Sequence, residues 1–292
     1  MKVLKYFAFA IAAVFAFSAC SKHEIEYPVE VLGNDMAEIQ LYNAIPTTSA
    51  AAGNLTYVVL NDTDTIATPD YPIERYNGIP FGNTTRFFVR KPGTYRVQGF
   101  IASNNPKNGG APNLDAEFTV SAGKSVVYFC AWDKAVVLDA NFPYGNADNA
   151  MPGKKTDTTA WINFVNFWYE SEGVPCSFPI QYQYAVRPDG VAIADLEFHN
   201  LGNPVRFGEQ TGFHPWYIPN KGIGYVGGPT SSITAGYCRI YVRVMDPSTD
   251  PMTMLHRDVD YWNSQGFGRY VNHVARGIGT NNQYLISTFT SK

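Results

Sequence analysis

The side chains that most often bind metals or carry out catalysis are scattered along this 292-residue chain and form no known motif. The five histidines show no HExxH or HxH pattern and no cysteine–histidine ligand spacing. No GxSxG motif surrounds a serine, and no cysteine lies in the sequence pattern of a known thiol enzyme. The sequence therefore predicts neither a zinc site nor nucleophilic catalysis.

Two short oxygen-rich segments, residues 61–65 and 246–250, contain side chains that could bind calcium. Both segments lack the glycine at the sixth position and the later glutamate of a calcium-binding loop. Asn, Asp, Ser and Pro are also the residues that dominate hairpin turns. We therefore predict turns at both segments and no metal site.

Paired carboxylates, such as Asp258 with Asp260 and Glu170 with Glu172, do not by themselves predict acid–base catalysis. Residues two apart on a strand face the same side, so the two carboxylates would repel each other unless solvent separates them. The glycine-rich segment at 222–224 does not open a helix, which argues against a phosphate-binding loop. We therefore predict a protein that is not an enzyme and that has no cofactor.

Aromatic side chains near predicted loops are the feature that favours a binding site. Trp168 and Tyr169 end a predicted strand, and Trp216 and Tyr217 lie between two prolines at the start of a segment rich in Gly and Pro. On the loops of a β-sandwich such rings could stack against sugar rings, which makes all four residues candidate glycan contacts. The alternative is that these rings cover the ends of the hydrophobic core.

The chain contains four cysteines, one near its start and three in the body. Cys130 lies in an apolar run and is expected to be a packed free thiol. Cys176 and Cys238 fall in the same half of the chain and could form a disulfide, although spacing alone does not establish their distance.

The first twenty residues resemble a bacterial lipoprotein signal. Two lysines precede an apolar run over residues 6–17, and two small residues precede Cys20. The run is shorter than the roughly 20 residues that a membrane-spanning helix needs. We predict a signal peptide over 1–19, lipid on Cys20 and a tether over 20–35. Because Ser21 and not Asp follows the cysteine, the predicted location is the outer membrane, on its periplasmic face or at the cell surface.

The charge balance excludes one class of partner. The formal net charge is −3, with 22 basic and 25 acidic side chains and no basic run. Proteins that bind nucleic acids usually show a basic patch or stripe, so we predict no nucleic-acid partner.

Several landmarks recur in the same order in the two halves of the chain. The alternating segments 37–43 and 160–166 both end in Asn, and the Gly-Thr-Tyr-Arg-Val segment at 93–97 has a looser counterpart at 236–240. The spacing of these landmarks places an insertion at about 217–234 in the second copy. The sequence therefore predicts an internal repeat.

Short segments with period-two alternation, separated by Gly, Pro and Asn, predict strands throughout both copies. Many short strands at this spacing are typical of an antiparallel β-sandwich. The predicted fold is all-β, with two tandem antiparallel immunoglobulin-like β-sandwiches after the signal peptide. We place the first sandwich at 36–142, a linker at 143–158 and the second sandwich at 159–292.

Three segments of the first half resemble the family called domain of unknown function 4397. They are the opening strand that ends in Asn43, the segment 93–97, and the Phe-Thr-Val-x-x-Gly-Lys segment at 118–124. The second half resembles the family less closely, since Tyr261 and Trp262 replace part of the Phe-Thr-Val strand. That family is common in lipoproteins of Bacteroidetes, often as tandem copies. It has no assigned activity, so the resemblance implies a fold and a location and no site residues.

Two short segments resemble the Asp-Thr/Ser-apolar/Thr sequence at which Bacteroidetes attach O-glycans to exported proteins. They contain Thr65, in Asp-Thr-Ile, and Thr158, in Asp-Thr-Thr. Both fall in predicted turns or linkers, where a modifying enzyme has access. Thr65 and Thr158 are therefore candidate O-glycosylation sites, although so short a pattern also arises by chance.

Together these features predict a non-catalytic cell-envelope lipoprotein that acts as an interaction or structural module. One alternative is a surface glycan-binding lipoprotein that captures polysaccharide, and another is a fimbria-like subunit with a removable first strand near Ile39. The predicted partners are the membrane, through the lipid anchor, and a polysaccharide or an envelope protein.

Overall fold

The computed structural model describes eight stretches of the chain: residues 35–47, 53–74, 84–85, 87–141, 159–217, 239–262, 270–278 and 285–291. Several predicted features lie outside the described residues: the signal peptide, Cys20, the tether up to residue 34, the linker with Thr158, and Cys238. The insertion expected at 217–234 also lies outside them, apart from its first residue.

The first half of the described chain forms nine short strands. They are β1 (Ala37–Asn43), β2 (Tyr57–Leu60), β3 (Asp64–Ala67), β4 (Thr84–Thr85), β5 (Phe88–Arg90), β6 (Gly93–Phe100), β7 (Leu114–Val120), β8 (Gly123–Ala131) and β9 (Lys134–Asp139). Eight of them build two four-stranded sheets, in the orders β5-β1-β8-β9 and β3-β2-β6-β7. In β7, buried and exposed residues alternate one by one, as expected for a strand with one face on a core.

The second half forms a similar set of strands. They are β10 (Thr159–Ser171), β11 (Val174–Pro175), β12 (Gln181–Val186), β13 (His199–Asn200), β14 (Gln210–Tyr217), β15 (Arg239–Asp246), β16 (Thr253–Trp262), β17 (Tyr270–Ile278) and β18 (Leu285–Ser291). One sheet has the order β14-β10-β17-β18, with β11 beside the far end of β10, and the other has the order β13-β12-β15-β16. Strand β4 of the first half pairs with β18. Within the described residues, 3₁₀ turns lie at Pro106–Asn108 and Ile193–Asp195.

The two halves repeat one strand order, sheet by sheet. Strands β5-β1-β8-β9 correspond to β14-β10-β17-β18, and strands β3-β2-β6-β7 correspond to β13-β12-β15-β16. The prediction of an all-β fold with tandem β-sandwiches is therefore confirmed. One detail differs from the expected antiparallel sheets: β1 pairs with β8 in parallel, and β10 pairs with β17 in parallel. Parallel neighbours need a long crossover connection, which the strands of the opposite sheet supply.

Hydrophobic side chains fill three layers of the molecule. One layer lies between the two sheets of the first half, and a second lies between the two sheets of the second half. The third layer lies between the halves, where the sheets that contain β1 and β10 pack against each other. These two sheets are covered on both faces, which explains why β8 and β10 are long apolar runs instead of alternating segments.

Candidate functional site

The contact between the two halves is a continuous hydrophobic layer, which we call the seam. Successive residues of a strand point to opposite faces, so Val126, Tyr128 and Cys130 of β8 face the seam while Val127 and Phe129 face the core of the first half. The seam also contains Tyr42, Ala44 and Ala140 of the first half, and Val165, Phe167 and Val274 of the second.

Aromatic rings connect the halves across the seam. The ring of Tyr128 lies 4.8 Å from that of Phe167, between ring centroids, and Phe167 packs edge-on against Phe207 at 5.6 Å. Tyr169 packs edge-on against the same Phe207, and its hydroxyl donates a hydrogen bond to the carbonyl of Cys130. A second polar link crosses the seam, where the side-chain amide of Gln210 donates to the carbonyl of Asp139 at 2.9 Å. Apolar packing and hydrogen bonds therefore hold the halves together.

A cleft of about 290 Å³ opens at one rim of the seam, and we call it the seam cleft. Its walls come from the segment just after β1, from the β8–β9 hairpin and from the β10–β11 hairpin, and the partly buried ring of Phe207 completes it. Tyr169 lies at its base, and Tyr169 is fixed there by the hydrogen bond to Cys130. The cleft therefore exists only because the two halves are joined.

Two tight hairpin turns, one from each half, place polar groups at this cleft. Ala131 pairs with Lys134, so Trp132 and Asp133 form a two-residue turn between β8 and β9. Ser171 pairs with Val174, so Glu172 and Gly173 form the matching turn between β10 and β11. The backbone of Gly173 has a φ of 74°, a conformation that glycine adopts without strain.

Trp132 is fixed at the edge of the seam cleft. Its side chain is half-buried and packs against the core of the first half. Its carbonyl accepts a hydrogen bond of 2.8 Å from the backbone N–H of Asp115 on β7. The indole therefore has a defined position while part of the residue stays open to solvent.

The charged groups at the cleft are available to a ligand. Asp133, Lys134 and Glu172 are exposed, and none of them takes part in an ion pair within the part of the chain that the structure describes. Together they supply two carboxylates that accept hydrogen bonds and one ammonium group that donates them. This arrangement can bind a polar ligand, and it includes no activated nucleophile.

The thiols of the described residues are poorly suited to catalysis. Cys130 is fully buried in the seam, where burial raises the pKa of its thiol to about 11. Burial also raises the pKa of the Cys176 thiol. Since the thiolate is the nucleophilic form, raised pKa values keep both groups mainly in the less reactive thiol form at neutral pH. Cys238 lies outside the described residues, so its pairing with Cys176 stays a prediction.

Of the four aromatic residues predicted as glycan contacts, the structure describes the side chains of Trp168 and Tyr169. Trp168 and Tyr169 are each 3% exposed, because β10 is covered on both faces and both rings pack inside the molecule. Their place in the core agrees with the alternative interpretation of these rings. Trp216 and Tyr217 lie in β14, and their side chains are outside the description.

Thr65 is exposed, as a modification site requires, but it lies in the edge strand β3 and not in a turn. The turn comes just before it, where Asn61 and Asp62 have positive φ. Thr158 lies outside the described residues, so both O-glycosylation sites stay predictions.

The oxygen-rich segment at 61–65 is part of a charged network on the first half. Asp62 and Asp64 form ion pairs with Arg96 and Arg90, and the side-chain oxygen of Asn61 accepts from the backbone N–H of Arg96 at 3.0 Å. The carboxylate oxygens that a calcium ion would need as ligands are therefore already paired with Arg90 and Arg96. Among the described residues no group of three or more His, Cys, Asp or Glu side chains could hold a metal ion.

Of the residues that line the seam cleft, only Tyr169 was predicted from the sequence as a ligand contact. Trp132 lies at the end of the apolar run that contains Cys130, and it begins a turn. The signal was present: Trp132 and Asp133 separate two apolar runs, as a two-residue hairpin turn would. No pattern in the sequence could place Glu172 near Trp132 and Asp133, because these residues come together only where the two halves pack at the seam.

Among the residues that the structure describes, no helix is both long and apolar enough to cross a membrane. No protein-family model matches the chain, and no curated protein matches it. The resemblance to domain of unknown function 4397 therefore stays a prediction.

Two solved structures are similar to this chain over most of its length, and both are described as a "putative cell adhesion protein". The one from Bacteroides fragilis is 9% identical, with 88% of this chain and 98% of that chain covered and a TM-score of 0.21. The one from Bacteroides ovatus is 10% identical, with 87% and 96% covered and a TM-score of 0.20. TM-scores this low support no argument about function.

Proposed function

We propose that this protein is a non-catalytic interaction module of the bacterial cell envelope. It is anchored in the outer membrane by lipid on Cys20, on the periplasmic face or at the cell surface. The observation that carries the proposal is the seam, which joins two β-sandwiches through a buried aromatic layer and leaves one polar-rimmed cleft at its edge. A fixed cleft between two rigid bodies binds a partner without a cost of ordering the site.

The chemistry of the described residues supports binding over catalysis. The two buried thiols have raised pKa values, and the carboxylates of Asp133 and Glu172 are exposed at turns. The seam cleft has the exposed hydrogen-bonding groups and the aromatic surface of a binding site.

The fimbria-like alternative receives less support from the position of the first strand. Strand β1, which contains Ile39, pairs with β5 on one edge and with β8 on the other. Ile39 and Leu41 belong to the core of the first half, and Tyr42 belongs to the seam. Removal of this strand would therefore disrupt two hydrophobic layers at once.

Photo-cross-linking in intact cells tests the proposal. A photoreactive amino acid replaces Gly173 at the cleft or, as a matched control, Gly190 on a turn outside the cleft lining. Both glycines have positive φ, 74° and 79°, and a Cβ added to either meets nothing within 4 Å. The strain of substitution is therefore the same in both variants.

We expect position 173, and not position 190, to form an adduct with a cell-envelope component while the protein fractionates with the outer membrane. The proposal is contradicted if position 173 gives no adduct, or if both positions give the same adducts.

A further inference from the structure

The walls of the seam cleft combine aromatic surface with free polar groups. Trp132 and Phe207, both half-buried, line the cleft together with Tyr169, which is held by its hydrogen bond to the carbonyl of Cys130. An aromatic face carries partial negative charge, which attracts the polarised C–H groups on the face of a sugar ring. The rings are held by the folded body, so a ligand does not need to order them.

The hydrogen-bonding groups at the rim suit a ligand with many hydroxyls. Carboxylates accept hydrogen bonds from hydroxyl donors, and such charge-assisted bonds are among the stronger ones in proteins. Asp133 and Glu172 approach from opposite halves, so they can reach different edges of one ligand. With Lys134 the rim has two negative charges and one positive charge, which disfavours a polyanion.

The size of the cleft limits how much of a ligand it can enclose. Its volume of about 290 Å³ lies near the lower bound of small-molecule sites, about 300–1,000 Å³. It can therefore enclose an end or a branch of a larger molecule, while the remainder stays in solvent. A folded protein partner would leave most of its contact surface outside such a cleft.

We propose that the seam cleft binds a terminal or branching residue of a neutral glycan, stacked on Trp132 and hydrogen-bonded to Asp133 and Glu172. This inference rests on the proposed function, because it names the class of ligand for that same site. Tyr169, one of the four predicted glycan contacts, lies in the lining of this cleft, and Trp132 of the hairpin turn is a further contact.

The test measures binding of the full-length chain, purified in detergent, to immobilised polysaccharides. Glycogen, yeast mannan and xylan are the neutral probes, and polygalacturonate and heparin are the acidic probes. The variants are Trp132→Ala and the isosteric double variant Asp133→Asn with Glu172→Gln. Tyr71→Ala is the matched control, since Tyr71 is 56% exposed and lies outside the cleft lining.

We expect the wild-type chain to bind at least one neutral probe, and Trp132→Ala and the double variant each to weaken that binding by about tenfold or more. Tyr71→Ala should bind as the wild type does. The double variant keeps the inference testable if Trp132→Ala fails to fold, because Asp133 and Glu172 are exposed and form no ion pair within the described part of the chain. Binding to acidic probes alone, equal binding by all folded variants, or binding to no probe would each overturn the inference.

The two failures are distinguishable. A site-specific adduct from position 173 without binding to any polysaccharide would show that the cleft takes another class of partner, such as a protein, and would leave the proposed function standing. No adduct and no binding would overturn both.

Discussion

Asn43 in β1 and Asn166 in β10 make the same two hydrogen bonds in the two halves of the molecule. Each side-chain oxygen accepts from the backbone N–H two residues further on, at Ile45 (3.2 Å) and Trp168 (2.9 Å). Each side-chain amide also donates to a carbonyl of a distant segment, at Gly53 (2.7 Å) and Val205 (3.1 Å). The recurring Asn of the sequence repeat thus links the opening strand of each half to a distant segment through buried hydrogen bonds.

Substitution of either asparagine should destabilise the protein. Asn43→Ala removes the bonds to the N–H of Ile45 and the carbonyl of Gly53. Asn166→Ala removes the bond to the N–H of Trp168, while the carbonyl of Val205 keeps the bond from the N–H of Ile180. Each buried group left without a partner costs about 1–3 kcal/mol. The free energy of unfolding, measured by denaturant titration, should fall by a few kcal/mol in both variants. The exposed Asn203→Ala variant serves as the control and should unfold like the wild type. Loss of stability in only one of the two variants would contradict the structural equivalence.

Phe167 should stabilise both halves, because its ring lies in the seam between them. Phe167→Ala removes a buried ring, at a cost of about 3–5 kcal/mol. Calorimetry should show a single transition for the wild type and either a lower or a split transition for the variant. The control is Val174→Ala, where the side chain is exposed. An unchanged transition in Phe167→Ala would show that the seam contributes little to stability.

His273 should make the protein less stable in mild acid. The imidazole is fully buried on β17, its Nδ1 lies 2.8 Å from the hydroxyl of Tyr182, and burial lowers its pKa to about 3. The pKa of histidine in the unfolded chain is about 6.5. Between these values the unfolded state binds a proton that the folded state excludes, so stability falls as the pH falls through this window.

Within this window the free energy of unfolding falls by about 1.4 kcal/mol for each unit by which the pH is lowered. His273 should therefore lower the free energy of unfolding by about 2 kcal/mol between pH 7 and pH 5. Denaturant titrations at both pH values measure it. His273→Gln should remove this part of the pH dependence whatever its effect on absolute stability, while the exposed His199→Gln variant should retain it. If the free energy of unfolding depends on pH in the same way in both variants, the pKa of His273 does not differ between the folded and unfolded states.

Cys20→Ser should release the protein from the membrane. The proposed anchor is acyl chains, which contribute about 0.8 kcal/mol per buried CH₂. Cell fractionation with metabolic labelling by a fatty acid should show a labelled membrane protein in the wild type and an unlabelled soluble protein in the variant. Retention of the variant in the outer membrane would locate the anchor elsewhere.

The sequence predicted the fold class and the repeat well, because strands with one buried face and well-marked turns leave a clear pattern. Strands β6 and β7 were recognisable from the alternation of Gly93–Val97 and Ala116–Val120. Strand β3 was missed because Asp64 and Thr65 read as turn residues. In the structure Asp64 instead forms an ion pair with Arg90 and pairs across the hairpin with Leu60.

The register of the repeat was less predictable than its existence. The segments 93–97 and 236–240 lie 143 residues apart, an offset that pairs Val126 with Arg269. Strand pairing instead places Val126 opposite Gln40, and it places Asn272 opposite Asn163, the counterpart of Gln40. Val126 therefore corresponds to Asn272, three residues further along. Strands covered on both faces lack the alternation that would fix such a register.

The candidate site could not be predicted, because it depends on how the halves meet. Tyr169 was singled out for its position before a loop, but β10 continues to Ser171 and buries it. Trp132 follows the apolar run of β8, and the turn there leaves it half-buried in the lining of the cleft. Contacts between halves separated by a linker leave no local signal in the sequence.

The measurement that tests the account most directly is the distance between the two halves in solution. Spin labels on cysteines introduced at Glu117 and Asp189, exposed residues of the first and second halves, report it by pulsed electron paramagnetic resonance. Cys130 and Cys176 are buried, and both Cys20 and Cys238 are replaced by Ser, so the labels react only where intended. If the seam is fixed, the distances between the two labels form one narrow distribution, and the substitution Phe167→Ala broadens it. A broad distribution in the unsubstituted seam would contradict the fixed cleft on which the proposed function depends.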